Sequence, residues 1–186
     1  MRTLLKKHYK AGVVAAFTLA LGLSALQRTQ AQGMMPPFGT PGDVKYASSL
    51  WKAIEKANLI GPNAVNSVLA EGKAPHGKVI ETVSAKVKVD GHEGVAHVKR
   101  NYGGSIADVS ANRAKNLMAI TVMFQREKGY DAENKDWFWA KYMTDGSLDK
   151  GPKDMPLAGR VAKGMDMGCI ACHKNAPGGD LLFLPL

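Results

Sequence analysis

Cysteine is almost missing from this chain of 186 residues: there are two, Cys169 and Cys172. A small exported domain held by disulfides needs a framework of them, and two residues this close together supply none. A second Cys pair is lacking as well, so a zinc half-site would want its other ligands. No Cys follows the N-terminal apolar run, where a lipoprotein signal would require one. The formal charge is +9, yet no basic run is dense enough to argue for nucleic acid. There is no internal repeat and no low-complexity tract.

What is present begins with an export pattern. Residues 1–31 read as a signal peptide, with a basic start (Arg2, Lys6, Lys7, Lys10), an apolar run from Ala11 to Leu26, and small residues at Thr29-Gln30-Ala31. The run is short for a membrane span, which takes about 20 apolar residues. The expected location is therefore the periplasm. These residues also hold five of the 25 Lys and Arg, counting Arg28, and no acid. The rest of the chain has 20 basic against 16 acidic residues, a mildly basic surface. Residues 32–42, rich in Gly, Pro and Met, are expected to be a flexible linker. Residues 43–186 have the length of one domain.

Period and punctuation predict an α+β fold, mainly an antiparallel β-sheet with one or two N-terminal helices. Asp43 is placed to N-cap a helix with Val44, Ala47, Trp51, Ile54 and Asn58 on one stripe, stopped at Gly61-Pro62. A weaker helical pattern covers 63–70. From Val79 the period becomes two: Val83, Ala85, Val87 and Val89 alternate with Thr82, Ser84, Lys86 and Lys88. Asp90-Gly91 turns this strand into a second, at about Val95 to Tyr102. Leu117 to Phe124 is apolar on both faces, which predicts a central strand, and Trp137 to Tyr142 is a fourth. Val161 to Met167 is a short helical candidate leading into the Cys pair.

Cys169-Ile170-Ala171-Cys172-His173 is C-x-x-C-H, the attachment signal for c-type haem. Each sulfur adds to one vinyl group on the same porphyrin edge, the two intervening residues set their separation, and the following His reaches the iron from one face. A thioredoxin-like redox pair usually opens a helix after an early strand and has no use for His at this position. The expectation is one covalently attached haem c, held by Cys169 and Cys172 and ligated by His173.

Thirteen residues follow His173 and none is Met, so a sixth ligand would come from upstream. Met118, Met123, Met165 and Met167 are candidates for that position or for haem packing, and His97, on one strand face with Lys99, is a candidate distal residue. His76 and His92 read as surface or loop residues. Trp137, Phe138, Trp139 and Tyr142 are expected to build the core and the haem wall. An open distal site would bind a small diatomic molecule, and a filled one would make an electron carrier.

Further segments carry a resemblance: Ala74-Pro75-His76-Gly77, Glu81-Thr82, Val98 to Tyr102, Leu117 to Met123, Gly129-Tyr130, Asp136 to Tyr142 and Gly159-Arg160-Val161, then the haem motif itself. Over roughly residues 43–183 the chain resembles the cytochrome P-460 family, which includes the gas-binding cytochromes c′-beta. The resemblance implies a mainly β homodimer with a five-coordinate haem and His173 as proximal ligand. It makes Lys99 the candidate for a covalent bond to the haem macrocycle, and it implies hydroxylamine oxidation or nitric oxide binding, with a periplasmic electron-transfer partner. One departure matters. Hydroxylamine-oxidising members use a distal carboxylate, where this chain has Thr121 or a neighbour. Glu81 is the nearby carboxylate that could act instead, so the candidate catalytic residues are Lys99 and Glu81. Phe124, Phe138 or Met118 would line an apolar distal pocket. The third possibility is a six-coordinate electron carrier.

Overall fold

The computed structural model describes residues 37–183, and the expected signal peptide lies outside them. Six strands form one antiparallel meander in sequence order: β1 (Leu69–Glu71), β2 (Val79–Val89), β3 (His92–Tyr102), β4 (Leu117–Gln125), β5 (Trp137–Tyr142) and β6 (Ala158–Gly159). The β2–β3 hairpin is in register from Val89↔His92 to Val79↔Tyr102. Its turn is Asp90-Gly91, both at positive φ, as a tight hairpin of this twist demands. β4 lies between β3 and β5, as its two apolar faces predict.

One face of the sheet is closed by α1 (Pro41–Lys56). Its N-cap is Thr40, not Asp43. Asp43 stands three residues on and completes a capping box, its carboxylate accepting from the Thr40 backbone amide. The buried stripe is Ala47, Leu50 and Ile54, set against Val83, Val98, Val122, Phe124, Phe138 and Tyr142. Val44, expected on that stripe, is exposed, and Trp51 is half-buried. Each large side chain buried here contributes on the order of 1.5–3 kcal/mol.

The α+β expectation holds with a single N-terminal helix. Residues 63–70 do not form a second: the chain runs irregularly into β1, with Val65 and Val68 exposed. Residues 161–167 form turns instead of a helix, and the helical turn is the motif itself, α4 (Cys169–His173). Two short helices, α2 (Ile106–Ala111) and α3 (Arg113–Asn116), fill the β3–β4 connection. The segment read as linker joins the fold from Phe38 on, which is buried and bridged to Gly159.

Candidate functional site

Strand alternation divides the meander into two populations of side chains. Those opposite α1 include His97 and Lys99 of β3, Thr121 and Met123 of β4, and Trp139 of β5. This second face is covered by the C-terminal segment, through a smaller cluster of Phe38, Met123, Trp137, Trp139, Val161, Ala162, Ile170 and Leu181. Between sheet and segment lies a mostly apolar cavity of about 640 Å³, within the range of about 300–1,000 Å³ usual for cofactor sites.

The C-x-x-C-H turn forms one wall. Gly168, at φ +121°, swings the chain into α4 through a conformation that side-chain-bearing residues rarely adopt. The helical turn then sends Cys169, Cys172 and His173 to the cavity. His173 is buried, and the edge of Trp139 packs on its ring at 4.8 Å between centroids. Its Nδ1 lies 2.7 Å from the Leu181 carbonyl oxygen. A carbonyl only accepts, so Nδ1 carries the proton and Nε2 is left with a free lone pair, the form that ligates metals. Burial, and secondarily the Lys99 charge, hold this imidazole below its ordinary pKa, against the opposing pull of the Leu181 bond. Burial pushes the Cys169 thiol up to about 11.

The sheet supplies the opposite wall. Lys99 is half-buried there, and burial lowers its pKa. His97 also lines the cavity, with Nδ1 2.6 Å from the Ser84 hydroxyl and its ring against Trp137. Thr121 and Met123 line it too, whereas Met118, Met165 and Met167 are exposed. Phe124 and Phe138, offered as distal apolar groups, point the other way and pack under α1, as does Tyr142. Of the aromatics expected at the haem, only Trp139 lines the cavity; Trp137 packs beside it in the smaller cluster, and Phe183, not expected there, joins the lining with its ring 5.2 Å from that of His173.

Glu81 is not at the cavity. It is fully buried on the α1 face, accepting from Tyr102 Oη at 2.8 Å and the Ser67 amide at 2.6 Å, with Arg100 at 3.2 Å and Arg113 at 3.4 Å. The acidic residue that does line the cavity is exposed Glu71, and His76 lines it as well. His76, read from sequence as a surface or loop residue, is half-buried, and burial followed by Lys99 lowers its pKa to about 4. No local pattern marks His76, since its place depends on where the β1–β2 turn folds back. Glu81 was within reach of the alternation: it shares parity with Val83 and Val87, and so belonged to the buried face.

A model of the family described as Cytochrome P460 matches residues 48–184. This chain belongs to the cytochrome P460 family. Neither the search of curated proteins nor that of solved structures returned a match. As a member, the chain is a haem-binding cytochrome, and the cavity suits that group. Two thiols and an imidazole with a free Nε2 share one wall, and apolar side chains supply much of the rest. Two polar atoms of cavity residues, Trp139 Nε1 and Thr82 Oγ1, are buried without a partner among the described residues. An unpartnered buried group of this kind is what a bound group would satisfy.

Proposed function

We propose that this P460-family cytochrome is exported to the periplasm and carries one haem, linked to Cys169 and Cys172 and ligated by His173. Its cavity would admit a small nitrogen species, nitric oxide before hydroxylamine. The observation that supports the haem assignment is His173, with Nδ1 tied to Leu181 and Nε2 free at the wall of a 640 Å³ cavity. Haem would supply an iron centre that binds small ligands and exchanges electrons. The protein's own part is to hold the imidazole through Leu181 and Trp139, and to surround the centre with apolar side chains.

Binding is favoured over turnover because Glu81, the carboxylate offered as proton acceptor, is locked into ion pairs on the far face. Hydroxylamine oxidation has to pass its N–H and O–H protons to a base. It stands as the second reading on the strength of Lys99, which lines the cavity together with Cys172. Burial lowers its pKa and so enlarges its share of free amine, the form able to bond to a macrocycle. The resemblance further suggests a homodimer working with a periplasmic electron partner.

The deciding experiment uses protein matured by the c-type machinery. Haem that survives denaturing electrophoresis, and an absorption change that saturates with nitric oxide, are the expected results. Chain without haem after such maturation would refute the assignment. A broad, red-shifted Soret band together with hydroxylamine consumption would promote the second reading.

A further inference from the structure

One imidazole in the cavity has no part in the reading above. His76 sits in the turn between β1 and β2, closed by its own amide on the Lys73 carbonyl at 2.9 Å. Gly77 lets this turn lie on the end of β3, where any side chain would run into the Tyr102 backbone. The His76 ring therefore enters the cavity beside that of His173, with 6.2 Å between centroids and 78° between planes.

Its tautomer is set by its neighbours. Asn101 places its amide nitrogen 3.3 Å from the Lys99 carbonyl oxygen and 3.3 Å from Thr121 Oγ1. A carbonyl can only accept, so the other end of that amide, Oδ1, faces His76 Nδ1 at 3.1 Å. Nδ1 of His76 must donate, and Nε2 keeps its lone pair. Two imidazoles of the same cavity are thus prepared alike, each with Nδ1 tied to a fixed oxygen and Nε2 free. Proteins prepare histidines for a metal in this way.

We propose that His76 is a second iron ligand: in the resting haem-loaded protein its Nε2 takes the position opposite His173, and a small ligand enters by displacing it. This rests on the haem reading given above. His97 is less suited, because its Nδ1 partner is a hydroxyl that can donate or accept. Displacement falls to His76 and not to His173 for a structural reason. His173 is held in α4 under Trp139, whereas His76 rides on a turn. If about one molecule in ten had His76 released, apparent ligand affinity would be reduced roughly tenfold.

The test begins with the spin state of the wild-type holoprotein, by absorption and electron paramagnetic resonance. A low-spin, six-coordinate resting state is expected. His76→Ala should become high-spin and bind carbon monoxide or nitric oxide about tenfold faster or more. His76→Met should restore a low-spin state at a higher reduction potential, as Met/His ligation does. A high-spin resting wild type would overturn the proposal without any variant, and so would a low-spin spectrum unchanged in both. Complete lack of haem would instead defeat the reading on which it rests.

Discussion

The two faces of the sheet are built from the same strands, yet they do different work. Under α1, alternate residues of β2 to β5 meet Leu50 and Ile54 in a closed apolar core. Its buried carboxylate, Glu81, is paired with Arg100, Arg113 and Tyr102. On the other face the strands present His97, Lys99, Thr121 and Trp139 to a cavity, and buried polar atoms there lack partners among the described residues. A filled face stabilises the fold. A face with room is suited to receive a ligand.

This contrast can be broken most severely at Glu81. Glu81→Ala leaves Arg100 buried without its carboxylate, and a loss of about 3–5 kcal/mol is expected in denaturant unfolding. The spectrum of the folded fraction should not change, and a large spectral shift would mean that the two faces are not independent. Leu50→Ala, which opens a hole under α1, should cost about 3 kcal/mol, again with haem and ligand binding intact.

The cavity face should show itself through pH. Without haem, the folded chain keeps His76 neutral to about pH 4, while the unfolded chain protonates it near 6.5. Between those values the unfolded state binds more protons. Stability should therefore fall as pH drops from about 6.5 towards 4, and level off below. Allowing for the solvent that still reaches this ring, the loss attributable to His76 is roughly 1–2 kcal/mol. His76→Asn should remove that part of the slope, and an unaltered pH profile would contradict the account.

The smallest stability effect is expected at Lys99. Lys99→Met takes a half-buried cation from the cavity wall and should change unfolding free energy by less than about 1 kcal/mol. The reduction potential of the holoprotein should nevertheless shift, since a nearby charge has been removed. A loss comparable to that of Glu81→Ala would show that the cavity face carries stability too.

Much of this organisation is written in local pattern. Period two gave β2 and the parity that puts Glu81 inside, and the Asp90-Gly91 turn set the hairpin register. The same parity separates Phe138 from Trp137 and Trp139, although it does not say which face holds a ligand. Residues 63–70 misled because helical periodicity is a weak signal over so short a stretch. There the Ser67 amide is bound by Glu81 and the Val65 carbonyl by Arg100, both distant in sequence. The Val161–Met167 stretch likewise gave way to turns, with Ala162 and Gly164 at positive φ, on the approach to α4.

By itself, the sequence determined the four long strands β2 to β5, the β2–β3 hairpin, the first helix and the Cys169–His173 motif. Each depends on residues a few positions apart, where side-chain period, turn chemistry and fixed spacing act directly. Only the tertiary structure decided which sheet face α1 would close and that His76 would meet His173. Those outcomes depend on segments tens of residues apart packing together, and no local pattern of side chains encodes the surface each one finds.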